Sequence, residues 1–110
     1  MINKKICVIG LGYVGIPLAI SFVKEKYEVI GFDINKKKIE ELKHGKDSTN
    51  ESKKYGTKYL KDIKLTFEEK DLHKANIFII TVPTPVNKKN IPDLYSLKQA
   101  CRIVGKNLKN

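Results

Sequence analysis

The first regular feature of the chain is Ile6-Cys7-Val8-Ile9, a continuous apolar run closed by Gly10. It predicts a short strand buried on both faces. From Tyr13 the period changes. Val14, Pro17-Leu18 and Ile20-Ser21-Phe22-Val23 recur at helical spacing, with Pro17 in the first turn, where a missing N–H costs little. Glu28-Val29-Ile30-Gly31-Phe32-Asp33 predicts a second strand ending in an acid. Asn35 is placed to cap a helix carrying Ile39 and Leu42, with Gly45 to end it. Residues 46–58 have no clear period and predict a polar loop, with room for a short helix over Glu51–Tyr55. A loop of that length is more often functional than idle. Ile63-Lys64-Leu65-Thr66-Phe67 alternates as a third strand, and Glu68 to His73 fits one or two helical turns. Asn76 to Val82 is the strongest strand signal, broken by Pro83-Thr84-Pro85. Asp93 is placed to cap a last helix holding Leu94, Leu97, Ala100, Cys101 and Val104.

Strands alternating with helices argue for an α/β parallel sheet with right-handed crossovers. The order is that of the first half of a Rossmann-type doubly wound sheet, with strands in the order 3-2-1-4. There is no internal repeat and no low-complexity segment, so residues 1–110 are expected to form one domain.

Composition changes this picture little. No apolar run reaches the roughly 18 residues of a membrane-spanning helix. The lead Met1-Ile2-Asn3-Lys4-Lys5 runs straight into the first strand without a signal-peptide pattern. The expected location is the cytoplasm, with no membrane partner. Charge is more pronounced: 22 Lys+Arg against 12 Asp+Glu give +10. A single residue of the basic set, Arg102, is arginine, and the lysines are spread from Lys4 to Lys109. A nucleic-acid reader would cluster its cations and use Arg and aromatics, so no nucleic-acid partner is expected. The tightest group, Lys36-Lys37-Lys38, opens a helix that continues into Glu40 and Glu41. Cys7 and Cys101 share no metal-ligand spacing and are expected to be buried structural thiols. His44 and His73 are isolated among charged residues and read as surface histidines. No metal site is expected.

The candidate chemistry lies in Gly10-Leu11-Gly12-Tyr13-Val14-Gly15. A bare GxGxxG is weak, but here a buried strand precedes it and a helix follows. A second strand then ends in Asp33, 18 residues past the last glycine. Gly10 permits the tight turn, Gly12 lets the backbone approach a pyrophosphate, and Gly15 lets the helix pack closely on the strand. The free amides around Tyr13 and Val14, with the helix dipole, then receive the phosphates. Asp33 can accept both ribose hydroxyls of NAD and would repel the 2′-phosphate of NADP. Lys36 to Lys38 pull the other way, since basic residues beyond that strand can bind a 2′-phosphate. The acid at the strand end favours NAD. Lys38 either reaches the adenosine side or is a solvent-exposed helix lysine; spacing alone fits both.

Three stretches together resemble the UDP-glucose/GDP-mannose dehydrogenase family of nucleotide-sugar 6-dehydrogenases. They are Ile9-Gly10-Leu11-Gly12-Tyr13-Val14-Gly15-Ile16-Pro17-Leu18-Ala19, then Gly31-Phe32-Asp33-Ile34-Asn35, then Ile79-Ile80-Thr81-Val82-Pro83-Thr84-Pro85 followed by Pro92-Asp93-Leu94. Within the family, Val82 to Pro85 and the loop from Gly45-Lys46-Asp47 to Glu51 are more similar to the UDP-N-acetyl-hexosamine branch. Those enzymes oxidise the C6 alcohol of UDP-N-acetylglucosamine or UDP-N-acetylgalactosamine to a uronic acid. The resemblance implies NAD as cofactor, with the pyrophosphate on Gly10, Gly12, Tyr13, Val14 and Gly15. It implies Asp33 on the adenosine ribose, Lys38 on the adenosine side and Thr84 lining the dinucleotide cleft. On the residues alone, Thr84-Pro85 is simply a strand stop.

Family members oxidise twice, through covalent intermediates on a cysteine in the sugar-binding half. Neither Cys7, in the first strand, nor Cys101, in the last helix, matches it, and no catalytic residue is expected within residues 1–110. The resemblance therefore implies an N-terminal fragment that stops before its fifth strand, inactive alone and homo-oligomeric when intact. Three other readings stay open: a nucleotide-binding module without catalysis, a polyanion binder, and a dehydrogenase of the 6-phosphogluconate or 3-hydroxyacid type.

Overall fold

The computed structural model describes residues 4–108, so the lead from Met1 to Asn3 lies outside the described residues. Four strands, β1 (Lys5–Ile9), β2 (Glu28–Phe32), β3 (Ile63–Thr66) and β4 (Ile77–Ile80), form one parallel sheet. Its order is β3-β2-β1-β4, the half-Rossmann order that the alternation predicts. The crossovers carry helices α1 (Gly15–Lys24), α2 (Lys36–Lys43) and α3 (Glu51–Tyr55), and α4 (Tyr95–Asn107) follows the last strand. Two 3₁₀ stretches, Thr57–Asp62 and Glu69–Lys74, complete them.

β1 shows why a continuous apolar run was needed. Its side chains alternate between two separate cores. Ile6 and Val8 meet Ile16, Ala19 and Ile20 of α1 and Ile39 and Leu42 of α2. Cys7 and Ile9 meet Ile30, Phe32, Leu72 and the α4 residues Ala100 and Ile103. Register keeps the second set together, with Cys7 opposite Ile30 and Ile9 opposite Phe32. Each such fully buried side chain contributes about 1.5–3 kcal/mol relative to exposure.

Three sequence expectations need correction. α1 starts at Gly15, and its buried face is Gly15, Ile16, Ala19 and Ile20, not Val14, Pro17 and Leu18. The phase is set at Gly15, where a Cβ would sit 1.8 Å from the Gly10 carbonyl oxygen. Residue 15 therefore lies flat on the end of β1, and the positions four and five further on face the sheet, leaving Val14 65% exposed. In α4 the inward residues are Ala100 and Ile103, and Cys101, one position round the helix from Ala100, is exposed. Cys7 alone is the buried structural thiol, pushed up to about 12 by desolvation. Finally, Asp93 acts one position ahead of the cap: Leu94 is the N-cap, and Asp93 Oδ1 accepts from Tyr95 N at 2.9 Å. Asn35 caps α2 as expected, accepting from Lys38 N at 3.1 Å. His44 and His73 are both exposed.

Candidate functional site

The carboxyl ends of β1, β2 and β4 converge, and hydrogen bonds beyond the strands keep them in register. Gly10 N donates to Phe32 O at 2.8 Å, and Thr81 N to Ile9 O at 2.7 Å. Gly10 turns out of the sheet with φ +100°, a conformation that only glycine adopts readily. A Cβ on it would lie 2.9 Å from the Thr81 backbone. Gly12 is different. A Cβ there would meet no atom within 4 Å, so nothing in the fold itself demands glycine at that position. Open backbone at that point suits a group arriving from outside.

The N-terminus of α1 is equally available. Its cap, Val14, supplies no side-chain hydrogen bond, and the first turn carries no acidic residue. The amides of Gly12, Tyr13 and Val14 donate to no acceptor among the described residues. Tyr13 and Val14 are exposed, so their backbone is reachable. An uncapped helix start with unpaired amides attracts an anion.

Asp33 stands at the end of β2 with its side chain only 13% exposed. Oδ2 accepts from Leu11 N at 3.0 Å and Oδ1 from Asn35 N at 3.0 Å. Lys38 Nζ lies 3.6 Å from Oδ2, so α2 turns its half-buried lysine towards the acid while Lys36 and Lys37 remain exposed. The glycine turn and the acid are thus one hydrogen-bonded unit. They border a cavity of about 290 Å³ whose walls include Gly10, Asp33, Ile34, Lys38, Val82, Pro83, Tyr95 and Gln99. That is close to the lower end of the range for small-molecule sites.

Gly10, Asp33 and Lys38 are thereby brought together, with Gly12, Tyr13, Val14 and Gly15 at the adjoining turn. Thr84 is not among the cavity walls. It is exposed in the loop after β4, where Asp93 N donates to Pro85 O and Val86 pairs with Pro92. Sequence reasoning missed Tyr95 and Gln99, which reach the cavity from α4. It also missed Thr81, whose Oγ1 donates to Gly10 O at 2.6 Å. The only signal for Thr81 was its place at the end of an apolar strand. No group of three or more His, Cys, Asp or Glu among the described residues could hold a metal ion. No helix among them is long and apolar enough to cross a membrane.

The sequence model described as "UDP-glucose/GDP-mannose dehydrogenase family, NAD binding domain" matches residues 4–110. The chain belongs to this family. Its cofactor is accordingly NAD, and the open Gly12 backbone with its unpaired amides fits a pyrophosphate. Among curated relatives, UDP-N-acetyl-D-glucosamine 6-dehydrogenase of Pseudomonas aeruginosa is 47% identical over 109 residues. That is 99% of this chain and 26% of the relative. Protein CapL of Staphylococcus aureus is 49% identical over 104 residues, covering 94% of this chain and 24% of its own length. The similarity runs to the N-acetyl-hexosamine branch, as the motifs implied. Among solved structures, UDP-D-ManNAc dehydrogenase from Pyrococcus horikoshii superposes with a TM-score of 0.81 at 34% identity. It covers 96% of this chain and 26% of its own. The chain thus spans about a quarter of the length of the family members it matches.

Proposed function

We propose that the chain is the NAD-binding part of a nucleotide-sugar 6-dehydrogenase. The intact enzyme would oxidise the C6 alcohol of UDP-N-acetylglucosamine or UDP-N-acetylgalactosamine to the uronic acid, for surface polysaccharide biosynthesis in the cytoplasm. The observation that carries the reading is the glycine turn whose Leu11 amide donates to Asp33 beside an uncapped helix start. NAD, when bound, supplies the hydride acceptor for the oxidation.

In this reading the protein's own residues bind and orient. Gly10, Gly12 and Gly15 shape the turn, and the amides around Tyr13 and Val14 receive the pyrophosphate. Asp33, already fixed by two backbone amides, accepts from the adenosine ribose hydroxyls. Lys38, tethered to Asp33, borders the same cavity and faces the adenosine side. Thr84, next to Pro83 of the cavity wall, is proposed to line the dinucleotide cleft. The residues that act on the sugar are proposed to belong to the remainder of the intact enzyme rather than to residues 1–110. The intact protein is proposed to be a homo-oligomer, with no nucleic-acid partner.

Calorimetric titration with NAD⁺ and with NADP⁺ tests the site. NAD⁺ should bind more tightly than NADP⁺, and Asp33→Ala should abolish that preference. Equal binding of both cofactors by the unaltered chain would sink the role given to Asp33.

A further inference from the structure

The Gly10–Leu11 peptide is held from both of its ends. Its N–H, on Leu11, donates to Asp33 Oδ2 at 3.0 Å. Its C=O, on Gly10, accepts from Thr81 Oγ1 at 2.6 Å, with Ile9 O the weaker acceptor of that hydroxyl at 3.2 Å. Among the described residues no other donor reaches the Gly10 carbonyl. The hydroxyl also fills the room that glycine leaves at position 15, lying 2.7 Å from where a Cβ would be.

A grip of this kind is needed because Gly10, at φ +100°, has no side chain to restrict the rotation of that peptide. Rotating it would withdraw the Leu11 N–H from Asp33. It would also turn a carbonyl oxygen into the space where the amides await an anion. We propose that Thr81 is a positioning residue for cofactor binding. Its hydroxyl holds the Gly10 carbonyl, and the peptide so fixed orients the Asp33 carboxylate for the adenosine ribose. The proposal rests on the NAD reading above and extends it to a residue at the end of β4, 71 positions from the turn it controls.

Thr81→Val keeps the shape of the side chain and removes the donor, leaving a buried carbonyl unpaired. Titrated with NAD⁺, the Thr81→Val chain should bind about fivefold to tenfold more weakly, the weight of one lost hydrogen bond. Thr81→Ser, which restores the hydroxyl, should return to within about twofold of the unaltered chain. The preference for NAD⁺ over NADP⁺ should fall in Thr81→Val as well, a change that simple loss of packing would not produce. Amide hydrogen exchange at Leu11, measured without cofactor, should quicken in Thr81→Val and not in Thr81→Ser. Thr81→Ala serves if the valine variant does not fold. NAD⁺ affinity unchanged in the variants lacking the hydroxyl, or lost equally in Thr81→Ser, overturns the proposal. If the unaltered chain binds no NAD⁺, the cofactor titrations pass to the full-length enzyme, and unchanged Leu11 exchange in Thr81→Val overturns the peptide grip by itself.

Discussion

Three glycines of one motif answer to three different physical demands. Gly10 is required by its positive φ and by the Thr81 backbone 2.9 Å away. Gly15 is required by a Gly10 oxygen that would overlap any Cβ. Gly12 is required by nothing within 4 Å in the chain, which is consistent with the proposed approach of a pyrophosphate there. The two cysteines divide just as sharply. Cys7 is fully buried, and desolvation pushes its thiol up to about 12, so it stays protonated and out of reach near neutral pH. Cys101 lies on the exposed side of α4. A thiol-reactive chromogen should therefore modify one cysteine per native chain and two after denaturation. Two rapid equivalents in the native protein would show that the sheet does not protect β1. Asp33 was legible from spacing because the distance across a βαβ unit is set by the lengths of its elements. Thr81 was not, because its importance depends on which carbonyl a neighbouring strand brings within 2.6 Å.

At the scale of elements, the long segment over 46–58 is organised by a single acid. Asp47 Oδ1 accepts from Thr49 N and Oγ1 at 2.9 and 2.6 Å, and Oδ2 accepts from Ser52 N at 2.8 Å. These bonds tie the loop to the start of α3, the short helix expected there. Partial burial works against the charged form of Asp47, but the hydrogen bonds from Thr49 and Ser52 outweigh it. Its carboxyl is held below the ordinary value of 3.8. A carboxylate more acidic in the folded state than in the unfolded one contributes stability above its unfolded value, lost as pH falls through the folded one. Acid unfolding should accordingly steepen below about pH 4, and Asp47→Asn should flatten that slope. Thermal midpoints of the two proteins measured from pH 6 down to pH 2 check this; parallel curves would rule Asp47 out as the cause. The elements themselves were largely legible, since period-2 and helical patterns follow from backbone geometry. Helix phase was less so: Val14, Pro17 and Leu18 looked like the inner face of α1 until the contact at Gly15 set its rotation.

Within the described residues the sheet has two edge strands, and of these β3 carries Lys64. Within the described residues β4 pairs with β1 alone, and its outer edge, Ile77-Phe78-Ile79-Ile80, carries no charge. Ile77 is 37% exposed, and the remaining three are half-buried. An uncharged apolar edge is a template for another strand. Self-association that rises with concentration is expected for the isolated chain, and Ile77→Lys should weaken it. The charge of +10 opposes approach, so added salt should strengthen the association by screening. A monodisperse monomer by light scattering at high concentration and high salt would refute the edge as an association site.

The amino-acid sequence by itself determined the element order, the parallel sheet and the motif that places this chain in its family. Those features depend on local periodicity and on glycine, proline and capping chemistry, all of which are written in short windows. It also marked Asp33, because a fixed crossover length separates that acid from the turn. Only the tertiary structure decided that Cys101 faces outward and that α1 presents Ile16 and Ala19 inward beside Ile20. It alone revealed that Thr81 and Asp33 grip the two ends of one peptide. Such facts turn on distances of a few ångströms between strands far apart in sequence. They come into being when the sheet brings residues 10, 33 and 81 to one edge.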